Sequence, residues 1–276
     1  MFQINLGSVF SDDYREMIKR MQDSQMDALR SSLSPLLKEI REEFTLGQTE
    51  EFKKLLETIE KEAKELPEYV NKIHSYFAKR GWFISFYSAS IHSFKSYAEL
   101  IDEEEHELIE KRIKSYVENK ILEIESSLKK EFPERHRIIK AALNAHADKS
   151  YILSIPTLLA QADGMFADLL EKTFYSNDEK ELEDIRRRLL KKLAENGHPH
   201  NTSSLGFLLV KQLQEESIIH EDFNDFEKSK NDFESEPLNR NYILHGKTLN
   251  YDTKVNSLKT IALVGLICDC KKTFAI

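Results

Sequence analysis

The chain has 276 residues, of which 40% are hydrophobic and 32% charged, and its formal net charge is −8. A chain of this length can bury one large or two modest cores, and its negative charge argues against a protein that coats nucleic acid non-specifically, because such binding depends on neutralising phosphates. With 8 Gly and 6 Pro, it holds few of the turn residues that a many-stranded β protein requires, so we predict an all-α fold.

The sequence gives no sign of export or of membrane insertion. The N-terminus lacks a basic region followed by an apolar core, and no apolar run approaches the ~20 residues that span a bilayer. Cys268 and Cys270 are too few for a disulfide framework. We therefore expect a cytoplasmic protein that makes no membrane contact.

The first part of the chain, residues 1–129, is predicted to be a series of amphipathic helices. Apolar residues recur at helical spacings over residues 11–44, and a second stripe begins at about Thr49. A long helix is predicted from Glu99 to Phe132, with an apolar seam along its length. This helical N-terminal region suits a sensor, a regulatory or a dimerisation role.

Two segments of this region invite a chemical interpretation. Residues 79–87 combine basic and aromatic side chains around the single tryptophan, Trp82; they suit stacking on bases, but a seal between two helical layers is the simpler explanation. His106 to Glu110 matches a metal-site spacing only in part, since a second histidine is missing. We expect no metal there and no cofactor elsewhere.

Phe132-Pro133 is the clearest break in the helical pattern, because proline disfavours a helical residue before it. We place a domain boundary at about residue 130, which gives domains of 1–129 and 130–276.

After the break, apolar periodicity predicts helices from Glu134 to Ala147, from Tyr151 to Phe174 and from about Thr253 onward. Gln161, Asp163 and Gly164 interrupt the second of these helices, and such polar groups require partners in a core.

Residues 176–236 are more charged and less regular than the helices around them. They hold a basic run, which consists of Arg186, Arg187, Arg188, Lys191 and Lys192. The run suits contact with an RNA backbone, but leucines between the charges also fit a solvated face of an amphipathic helix. His198 and His200 have no carboxylate or cysteine near them in sequence, so no metal is expected there.

Groups suited to phosphate chemistry interrupt an apolar helical pattern in the segment from Pro237 to Gly246. Pro237 suits the start of a helix and Gly246 its end, so we predict about two helical turns. Arg240 then falls near the N-terminal end, where backbone N–H groups and the helix dipole favour an anion. Asn241 and His245 share a face, whereas Arg240 and His245 diverge by roughly 140°, so Arg240 must bend around the helix end to reach His245.

The run from Arg240 to His245 resembles the signature of HEPN-domain ribonucleases, an Arg followed four to six residues later by His, with Asn in the favoured place after the Arg. Its position before a final apolar helix also resembles the family arrangement. The helix with Gln161 and Asp163 resembles the earlier HEPN helix that brings an acidic residue toward the motif. The resemblance covers residues 130–276, with 176–236 as a long insertion, and Arg80-Gly81-Trp82-Phe83 resembles the front half of bacterial proteins that carry such a domain at their C-terminus.

The resemblance implies a helical bundle that forms a homodimer with a composite active site. It implies cleavage of RNA by attack of the 2′-OH, without a metal, in a toxin or antiphage defence setting with an antitoxin or a regulatory protein as a further partner. Arg240 would hold the phosphate oxygens, His245 would transfer protons, and Asn241 would donate to the phosphate or orient His245. Asp163, with Gln161, would support Arg240.

Two other functions fit the same sequence. A HEPN-like bundle can bind nucleotide, RNA or a protein without cleaving anything. The amphipathic helices from Thr49 to Phe132 also suit a structural coiled-coil adaptor.

Overall fold

The structure, a computed structural model, describes residues 69, 72–83, 91–171, 184, 187–188, 219 and 238–274. Every regular element within these residues is an α-helix, which confirms the all-α prediction. In chain order they are α1 (described over 72–79), α2 (Ile91–Asp102), α3 (His106–Glu131), α4 (Pro133–Ala147), α5 (Tyr151–Leu170), α6 (Arg240–Leu244) and α7 (Lys254–Phe274). The helices predicted before residue 69 and most of the segment 176–236 lie outside the described residues.

The predicted long helix from Glu99 to Phe132 is wrong, because the chain turns at Glu103–Glu105 and forms α2 and α3 instead. The N–H of Glu105 donates to the Leu100 carbonyl and that of Glu104 to the Ile101 carbonyl, which closes the end of α2. Glu104 is left-handed, with φ 59°. The side chains of Glu103, Glu104 and Glu105 repel one another and contribute no apolar surface to the core. An exposed turn therefore suits them better than a continuous helix.

The predicted break at Phe132-Pro133 is confirmed, since α3 ends at Glu131 and α4 begins at Pro133. Proline suits this first helical position because its missing N–H has no partner to lose there. Ile113 before the break and Ile139 after it nevertheless belong to the same buried cluster. The break therefore separates helices that share a core, and the division into domains 1–129 and 130–276 stays a prediction.

The last helix, α7, lies at the centre of this core. Its residues from Asn256 to Cys268 are all buried, and it packs against both α3 and α5. Gly265 permits the close approach of α3, because a Cβ atom there would lie only 3.2 Å from Ile124 Cδ1. None of the described helices is long and apolar enough to cross a membrane.

Pro156 lies in the interior of α5, where its missing N–H leaves the Ile152 carbonyl without a helical donor. The Tyr251 hydroxyl supplies that donor, at 3.3 Å from the Ile152 oxygen. Tyr251 belongs to the link between α6 and α7, so this bond fixes the link against α5. The described helix ends at Leu170, with Glu171 left-handed at φ 57°, which is earlier than the predicted end at Phe174.

The described part of the aromatic segment, residues 79–83, supports the prediction of a seal between helical layers. Trp82 is 2% exposed and Phe83 is fully buried, and both belong to the common core. Their burial leaves no face open for stacking on a base.

Candidate functional site

The Arg–His motif lies on α6, which we call the motif helix and which contains five residues, Arg240–Leu244. Asn239 begins it by accepting the Tyr242 backbone N–H on its side-chain oxygen, at 3.1 Å. Asparagine is among the residues that best cap a helix start. The helix is shorter than the predicted two turns, and the predicted first residue, Pro237, lies outside the described residues.

Gly246 ends the motif helix, as predicted. Its φ is 66°, a left-handed conformation that glycine adopts with little strain. Its N–H donates to the Ile243 carbonyl at 3.1 Å, and the Lys247 N–H donates to the Tyr242 carbonyl at 2.8 Å. This pair of bonds is the Schellman motif, and it fixes the position of the residue before the glycine, which is His245.

Arg240 is half-buried at the start of the motif helix, and one of its guanidinium nitrogens donates to the Asn241 side-chain oxygen at 2.8 Å. Its backbone N–H donates to the Ile219 carbonyl at 3.4 Å. The N–H groups of Arg240 and Tyr242 thus have protein partners, and little of the backbone is left for an anion. The guanidinium, rather than the helix end, is the group that can hold a phosphate.

His245 is exposed at the opposite end of the motif helix, where its backbone N–H donates to the Asn241 carbonyl at 3.2 Å. Asn241 therefore connects the two ends, through its side chain to Arg240 and through its backbone to His245. That Asn241 orients the His245 ring or contacts a phosphate stays a prediction.

The predicted supporting residues, Gln161 and Asp163, lie half-buried on α5, against which the motif helix packs. Gln161 accepts a hydrogen bond from Arg135 at 3.4 Å, and Arg135 also binds both oxygens of Asp168, at 2.6 and 2.9 Å. Whether Asp163 supports Arg240 stays a prediction.

Arg135 explains why a glycine interrupts the apolar pattern of α5. A Cβ atom at Gly164 would collide with the Arg135 guanidinium, so the glycine leaves room for that side chain. Sequence reasoning missed Arg135. The glycine within an otherwise apolar helix was the signal that another group approaches there.

Only Arg187 and Arg188 of the predicted RNA-binding run fall among the described residues; Arg186, Lys191 and Lys192 lie outside them. Both described arginines bind Asp184, and Arg188 also lies 3.3 Å from a Glu171 oxygen. These ion pairs reduce the positive charge available to an RNA backbone and suit a solvated helix face. Contact between the run and RNA stays a prediction.

His106, at the start of the partial metal-site spacing, has a protein partner. Its Nδ1 lies 3.0 Å from the Tyr76 hydroxyl. Among the residues with described positions, no three His, Cys, Asp or Glu side chains converge as metal ligands.

A buried polar network joins α4, α5 and α7, and sequence reasoning also missed it. His146 Nδ1 lies 2.7 Å from Ser257 Oγ, which lies 3.1 Å from Ser154 Oγ. Burial, and secondarily the charge of Lys254, lowers the pKa of His146. Both serines are fully buried, so this histidine–serine pair connects helices and offers no nucleophile to a substrate.

Four exposed apolar side chains lie on the motif helix, on the link after it and at the start of α5, and we call them the apolar patch: Ile152, Leu153, Leu244 and Leu249. Leu244 precedes His245 directly, and the Tyr251 hydroxyl connects the link that bears Leu249 to the Ile152 backbone. Leu153 is 62% exposed and Leu249 is 84% exposed. Exposed apolar surface of this kind marks interaction sites.

Comparisons with models of protein families, with curated proteins and with solved structures find no match for this chain. The similarity to HEPN ribonucleases therefore rests on the motif residues and on their order in the chain.

Proposed function

We propose that this chain is a metal-independent endoribonuclease of the HEPN type, which cleaves RNA by attack of the 2′-OH on the adjacent phosphate. One observation carries the proposal: Arg240 and His245 occupy the two ends of one short helix that is capped at both ends, and Asn241 connects them. The two caps fix the backbone from which both side chains extend, which supports the positioning that catalysis requires.

The proposed reaction assigns one role to each residue type. A base removes the 2′-OH proton, the 2′ oxygen forms a bond to phosphorus, and the 5′ oxygen leaves and takes a proton from an acid. The products are a cyclic phosphate end and a 5′-hydroxyl end. Histidine exchanges protons near neutral pH, so His245 suits either proton transfer. The permanent charge of Arg240 would stabilise the negative charge that builds on the phosphate oxygens.

A second copy of the chain would complete this site, since each copy offers one His245 and the reaction uses both a base and an acid. The apolar patch, which includes Leu244 directly before His245, supports a homodimer, because it exposes leucines that a partner would cover. The setting in toxin or antiphage defence, and control by an antitoxin or regulatory protein, extend the proposal by the family resemblance.

A second candidate function is a HEPN-like module that binds RNA without cutting it. The hydrogen bond from Arg240 to Asn241 favours it, because this bond occupies part of the guanidinium that would otherwise stabilise charge on a reacting phosphate. The two candidates differ in whether covalent bonds in RNA break.

The test is cleavage of end-labelled single-stranded RNA by the purified protein in EDTA, with DNA of the same sequence in parallel. We expect cleavage of the RNA alone, because only RNA carries the attacking 2′-OH. Arg240→Ala should slow cleavage by about 10²–10³-fold and His245→Ala by about 10²–10⁴-fold, the usual losses for an oxyanion-stabilising group and for a general acid or base.

Matched controls are Arg137→Ala and His106→Ala, which remove an exposed arginine and an exposed histidine on other helices. Both should cleave like the wild type, and circular dichroism should show that all variants remain helical. RNA that stays intact in the wild type would overturn the ribonuclease proposal. If that RNA is still retained in a binding assay, and Arg240→Ala weakens the retention, the chain is a binding module.

A further inference from the structure

A groove with a volume of about 640 Å³ lies between α2 and α3. We call it the α2–α3 groove, and its walls include Ser96 and Tyr97 from α2 and Lys111, Arg112, Tyr116 and Asn119 from α3. Sites for small organic ligands have volumes of roughly 300–1,000 Å³, so a groove of this size can hold one. None of the described residues that line it carries a carboxylate.

The groove residues of α3 share one face of that helix. Arg112, Tyr116 and Asn119 are four and three residues apart, and Lys111 directly precedes Arg112. The apolar residues by which α3 enters the core lie on the adjoining face. The helix therefore uses one face for packing and contributes polar and aromatic side chains to the groove with another.

Lys111 and Arg112 are the two cations of the groove, and both are exposed. Within the part of the chain that the structure describes, no carboxylate pairs with either of them. A neighbouring lysine on the same helix does have such a partner, since Lys114 lies 3.6 Å from Glu110. In a chain whose net charge is −8, these adjacent cations form a local positive site, and an anion is the ligand that balances it.

A hydrogen bond fixes the Arg112 guanidinium at the wall of the groove. Its Nη1 donates to Ser96 Oγ at 3.1 Å, and this bond connects α3 to α2. A guanidinium has several N–H donors, and no other described group accepts from Arg112. The remaining donors are therefore available to the oxygens of an anion, which arginine binds in pairs.

Tyr97 and Tyr116 supply aromatic rings to the same groove. Both are half-buried, and the Tyr97 ring packs edge-on against Phe77, with ring centres 5.8 Å apart. A tyrosine in this situation is held in place by the core and keeps part of its surface accessible. Such rings suit contact with a planar base, because every base has a face on which an aromatic ring can stack.

We propose that the α2–α3 groove binds a nucleoside 5′-monophosphate, with the phosphate on Lys111 and Arg112 and the base against the two tyrosines. A terminal phosphate carries about two negative charges near neutral pH, which match the two cations. A phosphodiester within RNA carries a single charge and matches them less well. The Asn119 amide can donate to and accept from the sugar or the edge of the base.

This site does not depend on the proposed RNA cleavage, because it shares no residue with the Arg240–His245 motif. It lies on helices of the N-terminal region, and α3 also packs against α7, the helix that follows the motif. A bound nucleotide would stabilise the folded chain in proportion to its occupancy. The groove would thus give the N-terminal region a sensing role.

Isothermal titration calorimetry of the purified full chain tests the proposal. The probes are the four common nucleoside 5′-monophosphates in turn, the matching nucleosides and ribose 5-phosphate. We expect at least one monophosphate to bind. Its nucleoside and ribose 5-phosphate should each bind at least about tenfold more weakly, because the first lacks the charged group and the second lacks the base. If none of the four monophosphates binds, the proposal is overturned.

Two further outcomes would also contradict the site as proposed. A nucleoside that binds as tightly as its monophosphate would show that the cations do not hold the phosphate. A 2′-O-methyl RNA oligonucleotide with a 5′-hydroxyl end resists cleavage and has no terminal phosphate. If it binds while the monophosphates do not, the groove is a surface for RNA rather than a nucleotide site.

Charge variants test the phosphate contact. Arg112→Gln and Lys111→Gln should each weaken monophosphate binding by at least about tenfold, as for loss of a charged hydrogen bond. Arg137→Gln and Lys129→Gln remove the same charges at exposed positions outside the groove and should bind like the wild type. Unchanged affinity in Arg112→Gln would refute the site.

Tyr116→Leu tests the contact with the base, because leucine keeps an apolar side chain against the core and removes the ring. The wild type should prefer the monophosphate to ribose 5-phosphate by about tenfold, and the variant should bind the two equally. Retained binding of ribose 5-phosphate shows that the variant is folded. If Tyr116→Leu and Tyr97→Leu both keep the preference of the wild type, the base does not lie against the tyrosines and the proposal fails.

Discussion

Buried polar residues in this chain differ in whether the protein itself satisfies them. His146 has Ser257 as a partner at 2.7 Å, and Ser154 extends the network at 3.1 Å. Lys259 has no such partner in the described residues. The first arrangement pairs its polar groups within the fold, whereas the second leaves an amino group beside an aromatic ring.

The buried His146 predicts that the chain loses stability in mild acid. Burial lowers the pKa of His146, so the folded chain resists a proton that the unfolded chain takes up below about pH 6.5. The free energy of unfolding should therefore fall as the pH drops below this value, until the folded-state pKa is passed. His146→Gln removes the titration and keeps an amide that can bond to Ser257, so this decrease should be smaller.

Urea unfolding at pH 7.5 and at pH 5.5 measures the effect. His106→Gln, at an exposed histidine, should show the same loss as the wild type. If His146→Gln loses as much stability as the wild type between these two pH values, His146 is not the group responsible.

At the scale of elements, the motif helix depends on its caps more than on its length. Five residues cannot form a stable helix alone, because forming the first turn costs more than its few hydrogen bonds return. Asn239 satisfies an N–H at one end, and Gly246 with Lys247 satisfies carbonyls at the other. Packing against α5 supplies the rest. The positions of Arg240 and His245 therefore follow from capping.

Gly246→Ala tests this dependence. The φ of Gly246 is 66°, and no described atom lies within 4 Å of a Cβ built there, so any effect arises from the backbone conformation alone. We expect a loss of about 1 kcal/mol in the free energy of unfolding, together with slower RNA cleavage because His245 precedes this turn.

Gly246→Asn is the matched control, since asparagine tolerates the left-handed conformation better than alanine does. It should lose less stability than Gly246→Ala. Equal stability of Gly246→Ala and the wild type, measured by chemical unfolding, would show that the cap does not hold the motif helix.

At the scale of the whole molecule, exposed leucines occur both in the apolar patch and elsewhere on the described surface. Leu244 and Leu249 are exposed and lie close to His245 in the chain, whereas Leu122, which is 81% exposed, lies on α3 and far from the motif helix in sequence. A homodimer with a composite site would bury the leucines of the apolar patch and would leave Leu122 exposed.

Leu249→Asp should therefore weaken self-association by at least about tenfold, because it places a charge where the partner would exclude water. Analytical ultracentrifugation over a range of concentrations measures this change, and RNA cleavage per chain should fall where the monomer predominates.

Leu122→Asp makes the same change at a leucine of nearly the same exposure, 81% against 84% for Leu249. It should associate and cleave like the wild type. A wild-type chain that stays monomeric while it cleaves RNA would contradict the composite site.

The sequence by itself determined the features that depend on neighbouring residues. Apolar periodicity predicted both ends of α4 to within one residue and the approximate start of α7. Phe132-Pro133 marked the break between α3 and α4, and Gly246 marked the end of the motif helix. Helical periodicity, the restricted geometry of proline and the left-handed conformation of glycine depend only on residues close in sequence. The sequence alone is therefore enough to predict them.

Only the tertiary structure decided which distant groups meet. Arg135 reaches Asp168 and Gln161, Tyr251 replaces the donor that Pro156 lacks, and Lys259 lies beside Trp82. The turn that separates α2 from α3 also escaped the helical pattern, because the pattern continues on both sides of the three glutamates. A polar residue within an apolar run indicates that its side chain requires a hydrogen-bond partner. Which residue becomes that partner depends on how helices far apart in sequence pack together.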